Sequence, residues 1–391
     1  MRPNAPAPAF KFIFAYILSE NTIIKMIIKA NERTMKEVFN MQVKAFLCAV
    51  LCALISFSAL FSCAPTAERE PETQAESYYE FFDTVSTVIS YKGDSAQEFG
   101  ANCEAVTELL GEYHRLFDIY HEYEGENNLM TVNKNAGKAP VKVNEKLIDF
   151  LLYCKEVFTL TNGKTNVAMG SVLKLWHDER ELGIDNPEKA KIPAPEALAK
   201  AAEHTDINSI IIDKEACTVL ISDPEVRIDV GAIGKGYATE RAAELLIENG
   251  VTSYVLNIGG NIRAIGTKPD GDGWKTGITN PDKNSSEPFV CRVNIKDTSL
   301  VTSGDYERFY TVDGVRYHHI IDPETLMPAN YFSSVSVFLA DSALADALST
   351  ALFCMSYDDG VKLISDLGAE AIWVLRSGEV RMTDGVELID S

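Results

Sequence analysis

Residues 341–355 (DSALADALSTALFCM) constrain the fold more than any other segment of this chain. Asp341 or Ser342 can serve as a helix N-cap, and leucines recur at every fourth position from Leu344. The opposite side carries alanines and Phe353, so the helix is apolar almost all round. The segment therefore predicts a helix buried in a large core.

Asp346 and Thr350 lie four residues apart on the less apolar side of this helix. A buried lone carboxylate needs a cation or hydrogen-bond donors, and residues 341–355 contain no Lys or Arg. Carboxylate and hydroxyl oxygens are the ligands that hard divalent ions prefer. Two interpretations are open at this point: a divalent metal site, or a buried Asp that is satisfied by hydrogen bonds.

Two glycine-rich turns follow strand-like segments. Residues 228–237 (IDVGAIGKGY) lead into an amphipathic helix predicted over 237–249, whose free N–H groups and dipole attract anions. The glycine spacing matches neither common phosphate-loop pattern, so a phosphate site and a plain strand–helix turn are both open. The second turn, at 257–262 (NIGGNI), could let a flat ligand approach the backbone, or could be a β-bulge.

A predicted strand ends in two adjacent histidines, His318 and His319. Neighbouring strand residues point to opposite faces, so only one of them can enter a given site. The remaining histidines are scattered and form no second cluster at zinc-ligand spacing. A hydrogen-bonding or base role for one histidine is therefore favoured over zinc binding.

The N-terminal region reads as a targeting segment. Residues 45–62 form an uncharged apolar run between Lys44 and Cys63, typical of a lipoprotein signal peptide, with an uncleaved membrane anchor as the alternative. We expect an upstream extension plus signal peptide over 1–63, a flexible tether over 64–78 and one folded domain over 79–391. The expected location is extracytoplasmic, held at the cell membrane by a lipid on Cys63.

Charge narrows the classes of ligand. Residues 1–63 hold 7 Lys and Arg against 3 Asp and Glu, which leaves 29 against 54 and a net charge of −25 for the rest. Such a field disfavours nucleic-acid binding. It also repels phosphorylated ligands, so a protein of this kind that binds one should recruit a cation or concentrate backbone N–H groups locally.

Hydrophobic periodicity predicts mixed helices and strands in one α/β or α+β domain. The predicted helices are 95–117, 145–161, 195–203 and 237–249, and the predicted strands include 208–213, 217–222, 226–230 and 253–260.

Six motifs in order resemble the ApbE family of FAD:protein FMN transferases, over Tyr79 to Val386. They are TNGKTNVAMGSVLKLWH, IDVGAIGKGYA, NIGGNI, SGDYERF, HHIIDPET and ADALSTALF. The resemblance implies an α+β fold: a single ApbE-type, T-fold-like domain of mixed sheets flanked by helices, or two lobes with FAD between them.

The resemblance also implies a ligand set. Mg²⁺ would be bound by Asp346 and Thr350, by the carbonyl of Ala232, and near Ser349, where some members carry another acidic ligand. FAD would contact Asp229, Lys235, Tyr120, the stretch Thr165, Asn166 and Val167, and Ile320. The chain departs from the family in carrying Asn166 where Asp is frequent and Leu326 where Gly is frequent.

The implied activity is Mg²⁺-dependent transfer of FMN from FAD to a Ser or Thr hydroxyl of an acceptor flavoprotein, with release of AMP and with His319 as the candidate base. FAD hydrolysis to FMN and AMP by the same ligands is one alternative, and a non-catalytic FAD-binding lipoprotein is another. A solute-binding lipoprotein would require two similar lobes, and the sequence shows no such duplication. The expected partners are FAD, the acceptor and, through Cys63, the membrane, without nucleic acid.

Overall fold

An eight-stranded antiparallel sheet forms the centre of the computed structural model, which describes residues 73–91 and 94–389. In chain order the strands are β1 (Gln74–Tyr78), β2 (Ser86–Ser90), β3 (Val141–Lys142), β4 (Ile210–Asp213), β5 (Thr218–Ile221), β6 (Ser253–Ile258), β7 (Asn261–Gly266), β8 (Trp274–Thr279), β9 (Phe289–Ile295), β10 (Ser299–Gly304), β11 (Phe309–Val312), β12 (Val315–His318), β13 (Phe332–Leu339), β14 (Glu370–Leu375) and β15 (Val380–Met382).

The part of the chain that the structure describes contains eight α-helices. They are α1 (Ala96–Phe117), α2 (Leu129–Lys134), α3 (Glu145–Leu160), α4 (Gly170–Asp185), α5 (Pro195–Ala202), α6 (Gly234–Glu248), α7 (Ser342–Phe353) and α8 (Tyr357–Ser365). Two short 3₁₀ helices lie at Pro187–Lys189 and Ile207–Ser209.

The strands of the described residues form four sheets, and neighbouring strands in each of them are antiparallel. The large sheet has the order β1-β2-β6-β7-β10-β13-β14-β15, beside a three-stranded sheet β3-β5-β4 and the hairpins β8-β9 and β11-β12. The described residues all fall within one compact unit, and a division into two lobes is not seen among them. The α+β prediction is confirmed.

Local sequence explains the ends of the main helices. Ser95 and Glu98 form a reciprocal capping box at the start of α1, which satisfies two backbone donors that the first turn leaves free. Asp341 caps α7 through the N–H groups of Ala343 and Leu344, 2.7 and 3.2 Å away. The predicted helices 95–117 and 145–161 match α1 and α3 closely.

The apolar helix α7 lies in the core, as its composition requires. Ten of its twelve residues are buried, and it packs against α6 on one side and against β10 and β13 on the other. Its apolar side contributes to a buried cluster with the strands β13 and β14. This packing fixes where the one carboxylate inside the helix, that of Asp346, can lie.

Two predicted boundaries differ from the structure. Residues 74–78 lie in the stretch predicted as a flexible tether over 64–78, but they form β1, which pairs with Ser86–Ser90. The strand is at the edge of the sheet and most of its side chains are exposed, so its polar composition resembles that of a linker. The rest of the predicted tether, and Cys63 with the signal segment, lie outside the described residues.

Residues 226–230 do not form the predicted strand. Asn133 binds the N–H and the carbonyl of Ile228 through its side chain, and Asp229 donates its N–H to Val167, so extended backbone is paired outside a sheet. Within 73–91 and 94–389, no helix combines the length and apolarity that crossing a membrane would need.

Candidate active site

Helices α6 and α7 meet where the glycine-rich turn enters α6. The Gly236 N–H donates to Asp346 Oδ2 at 2.7 Å. A Cβ atom at Gly236 would lie 2.3 Å from Asp346 Cβ and 2.5 Å from the Ser342 carbonyl oxygen. Only glycine allows this approach, so the turn and the buried carboxylate form one site.

The Asp346 carboxylate lies in an environment that favours a nearby cation. The residue is 5% exposed, and burial raises its pKa, while Lys235, the Gly236 N–H and Asn261 act to lower it. Asn261, which follows Gly259 and Gly260, is itself buried, and its side-chain amide faces this carboxylate. A buried carboxylate beside a glycine-rich turn is typical of a site that receives a polar ligand.

Hydroxyl groups surround the next turn of α7. Ser349 Oγ donates to the Asp346 carbonyl oxygen at 2.9 Å, and Ser303 Oγ on β10 lies 2.8 Å from Ser349 Oγ and 3.4 Å from Thr350 Oγ1. Ala232 lies four residues before Gly236 in the glycine-rich turn, and its role as a ligand stays a prediction.

These residues fit a hard divalent ion. Mg²⁺ is often held by one or two carboxylates while substrate phosphates and water complete its coordination. Among residues 73–91 and 94–389, no group of three or more His, Cys, Asp or Glu is arranged to hold a metal. The single carboxylate of Asp346 with neutral oxygens beside it agrees with that mode of binding, because a diphosphate would supply the remaining charge.

A second group of side chains assembles around Asp229. The Tyr120 ring lies 5.7 Å from the His177 ring, and Arg180 Nη2 lies 2.9 Å from His177 Nδ1. Burial raises the pKa of Asp229, whereas the Gly231 N–H and then His177, Arg180 and Arg308 lower it. We call Tyr120, His177, Arg180, Asp229, Arg308 and His319 the basic cluster.

The basic cluster is suited to a flat, anionic ligand. Tyr120 is 56% exposed, so one ring face is free to stack. Burial and the charge of Asp229 raise the pKa of Tyr120, which keeps the phenol neutral. Sequence reasoning missed Arg180 and Arg308, although Arg308 lies in the SGDYERF motif, because a single Arg in a motif does not reveal which residues it meets.

The structure separates the roles of the two histidines. His318 Nε2–H donates to the Ala329 carbonyl at 2.8 Å, and His318 Nδ1 accepts the Ile320 N–H at 3.2 Å, so both ring nitrogens are used internally. His319 Nδ1 lies 3.2 Å from the Arg308 carbonyl oxygen, which can only accept. The proton is therefore on Nδ1, and Nε2 of His319 is left with its lone pair.

Burial, with Arg308 as the next contribution, lowers the pKa of His319 to about 3. The ring is therefore neutral at physiological pH, and its Nε2 lone pair can accept a hydrogen bond from a hydroxyl.

The other predicted FAD contacts connect the site to the scaffold. Thr165 Oγ1 donates to the Ala347 carbonyl of α7 at 2.8 Å. Asn166 Nδ2 donates to Thr205, and its Oδ1 accepts the Ala168 N–H. Val167 is buried and accepts the Asp229 N–H. These contacts hold the stretch against α7 and the glycine-rich turn, and its role toward FAD stays a prediction.

Two further residues of the resemblance lie on the segment after His319. Ile320 is buried beside it. Leu326 has a φ of 60°, a left-handed conformation that glycine adopts without strain. Its carbonyl accepts the Trp176 indole N–H at 2.9 Å, so the turn is retained.

Comparisons with known proteins show the family of this chain. Residues 82–373 match the sequence profile of the ApbE family. An FAD:protein FMN transferase of Treponema pallidum is 33% identical over 319 residues, covering 78% of this chain and 85% of the relative. One from Klebsiella pneumoniae is 30% identical over 275 residues, covering 68% and 83%.

Solved structures show the same fold. The ApbE protein of Thermotoga maritima superposes with a TM-score of 0.70 at 28% identity, covering 80% of this chain and 97% of that one. The flavin transferase ApbE of Vibrio cholerae gives 0.67 at 24% identity, covering 81% and 97%. The family profile spans most of the chain, and a relative that is 33% identical covers 78% of it, so this chain belongs to the ApbE family.

Proposed function

We propose that this chain transfers FMN from FAD to a Ser or Thr hydroxyl of an acceptor protein and releases AMP, with Mg²⁺ bound at Asp346. The observation that carries the proposal is the contact between the buried Asp346 carboxylate and the N–H of the glycine-rich turn. Relatives at 33% and 30% identity that are named FAD:protein FMN transferase support the reaction class.

At the metal end, Asp346, Thr350 and Ser349 would hold the ion, together with the Ala232 carbonyl. Mg²⁺ bound there would neutralise the diphosphate of FAD and make AMP a better leaving group. Lys235 and the N–H groups at the start of α6 would bind phosphate oxygens, because the first turn of a helix leaves such donors free.

The basic cluster would bind another part of FAD, and its His319 would meet the acceptor hydroxyl beside the phosphorus that is attacked. The acceptor hydroxyl oxygen forms a bond to the phosphorus of the FMN half, the bond from that phosphorus to the bridging oxygen breaks, and AMP leaves with this oxygen. His319 Nε2 accepts the hydroxyl proton. Tyr120 would stack on a ring of FAD, and Arg180 and Arg308 would offset its negative charge.

One assay separates this proposal from its alternatives. The purified chain is incubated with FAD, Mg²⁺ and a candidate acceptor domain, and the acceptor is then weighed by intact-mass spectrometry. A gain of one FMN with AMP in solution is the expected result. Free FMN and AMP with an unmodified acceptor would indicate a hydrolase, and intact FAD would indicate a binding protein.

We also propose that the chain is exported and lipid-anchored through Cys63, on the basis of the apolar run at 45–62. Cells fed an alkyne-labelled fatty acid should label the wild-type chain and leave the Cys63→Ser variant unlabelled. Equal labelling of both would refute the lipid site.

A further inference from the structure

Helices α6 and α7 are joined by two reciprocal hydrogen bonds, one helical turn apart. Gly236 of α6 donates its N–H to the Asp346 carboxylate of α7 at 2.7 Å. In return, Ser342 of α7 donates its N–H to Glu240 Oε2 of α6 at 2.7 Å. Residues four apart share a helix face, so both contacts lie along one line between the helices.

Both donors are groups that a helix cannot satisfy by itself. Gly236 is in the first turn of α6 and Ser342 is the first residue of α7, and N–H groups at these positions have no intrahelical acceptor. Asp341 caps Ala343 and Leu344, which leaves the Ser342 N–H to Glu240. Each carboxylate also lies near the positive end of the partner helix.

Arg263 of β7 holds Glu240 in this position. Its Nε lies 3.3 Å from Glu240 Oε2, the oxygen that also accepts from Ser342. Both side chains are buried, at 7% and 9% exposure. Burial raises the pKa of Glu240, and Arg263 and the Ser342 N–H oppose that shift. Arg263 and Ser342 therefore both stabilise an anionic Glu240 at the start of α7.

We infer that Glu240, held by Arg263, is a positioning residue that fixes the N-terminal end of α7 and thereby places the Asp346 carboxylate for Mg²⁺. The inference rests on the proposed function, because it assigns a role toward the metal of that site. Glu240 makes no contact with Asp346 itself; it acts through the Ser342 N–H, one turn before Asp346. Partners of this kind commonly change metal affinity by about 10- to 100-fold when they are removed.

The test compares two substitutions at one position. Glu240→Leu removes the acceptor for the Ser342 N–H, whereas Glu240→Gln keeps an oxygen for it. Both remove the ion pair between Glu240 and Arg263, while Arg263 keeps Asp297 3.4 Å from its Nη1, so any loss of stability from that cause is common to the two variants. Their difference isolates the hydrogen bond to α7.

The readout is metal binding, measured independently of turnover. Mn²⁺ stands in for Mg²⁺ and is titrated into the purified full chain in detergent with FAD present, and the free ion is counted by electron paramagnetic resonance. We expect the Kd for Mn²⁺ to rise about tenfold or more in Glu240→Leu and less than about threefold in Glu240→Gln. Glu244→Leu, one turn further along α6 and paired with Arg241, is the matched control and should bind as the wild type does.

A second variant removes the same bond from the other side. Ser342→Pro deletes the N–H donor, and its ring displaces Glu240 Oε2 from α7 while both charges of the Glu240–Arg263 pair remain. Proline is favoured at the first position of a helix, and the extended conformation of Asp341 (φ −82°, ψ 112°) is compatible with a following proline. This variant should raise the Kd for Mn²⁺ as Glu240→Leu does, and it keeps the test decisive if Glu240→Leu fails to fold.

Three results would overturn the inference. If the wild type binds Mn²⁺, unchanged Mn²⁺ affinity in both Glu240→Leu and Ser342→Pro would overturn this inference and leave the proposed function standing. Equal weakening in Glu240→Leu and Glu240→Gln, in step with a fall in Tm, would show a merely structural role. Absence of Mn²⁺ binding by the wild type would overturn the metal part of the proposed function, and this inference with it.

Discussion

Asp346 is buried in an apolar helix, and burial raises its pKa against the effects of Lys235, the Gly236 N–H and Asn261. An isolated anion in such a place is costly unless a positive charge lies close to it. At the scale of single residues, the proposed metal site therefore depends on one carboxylate, that of Asp346. The charge of that carboxylate can be removed without changing its shape.

Asp346→Asn should abolish transfer while FAD still binds. The amide keeps an oxygen for the Gly236 N–H but loses the charge that holds the ion, so kcat should fall by about 10²–10⁴-fold. The FMN transfer rate and FAD binding, followed by flavin fluorescence, check this. Asp358→Asn, an exposed position in the first turn of α8, is the control. Wild-type turnover in Asp346→Asn would refute the metal assignment.

His319 makes stability depend on pH in a defined direction. Its pKa is about 3 in the folded chain and about 6.5 in an unfolded one. Between these values the unfolded chain binds more protons, so this residue lowers stability as pH falls below about 6.5. His319→Asn should flatten the decline of the free energy of unfolding between about pH 6.5 and pH 4, measured by denaturant titration. An unchanged decline would contradict the lowered pKa.

At the scale of secondary-structure elements, the close crossing of α6 and α7 determines the site. Gly236→Ala should lower the free energy of unfolding by about 1–3 kcal/mol, because its Cβ would lie 2.3 Å from Asp346 Cβ in a packed interface. It should also weaken metal binding, because the helices must move apart. Denaturant titration and Mn²⁺ binding check the two effects.

The matched control is Gly100→Ala in α1, where a Cβ would meet nothing within 4 Å. There we expect a gain of about 0.5–1 kcal/mol, because alanine is the better helix former. A Gly236→Ala variant as stable as the wild type would show that the two helices can separate without loss.

Local sequence signals were sufficient to predict the main helices, but they did not predict how the segment 226–230 is paired. Hydrophobic periodicity predicted α1 over 95–117, and Asp341 or Ser342 was the predicted N-cap of α7. The structure begins these helices with a capping box at Ser95 and a cap at Asp341. The segment 226–230 has the composition of a strand, yet the Asn133 side chain takes the place of a neighbouring strand. Such a contact joins residues 95 positions apart and leaves no local pattern.

In the candidate site, too, local signals predicted one part and long-range contacts determine the rest. The apolar surroundings of Asp346 in sequence were enough to predict its burial and its need for a partner. The convergence of Arg180 and Arg308 on Asp229, and the Glu240–Ser342 bond, depend on tertiary contacts that no single motif encodes.

At the scale of the whole molecule, the sheet of the described residues begins with β1, five residues before the predicted start of the domain at residue 79. This strand covers the edge of β2. A chain that starts at residue 79 should have a Tm lower by about 2–4 °C than one that starts at residue 70, and it should aggregate more readily because β2 becomes an open edge. The Tm is measured by thermal unfolding, and aggregation is measured by light scattering, for both chains. Identical behaviour would show that β1 adds nothing to the sheet.

The central claim is that a divalent ion binds where Asp346 meets the glycine-rich turn. A crystal grown with FAD and Mn²⁺ tests it through the anomalous signal of the metal. The account predicts a peak about 2.0–2.3 Å from an Asp346 carboxylate oxygen and close to the Thr350 hydroxyl, with the FAD diphosphate on its other side. A peak elsewhere in the molecule, with bound FAD and no metal at Asp346, would contradict it.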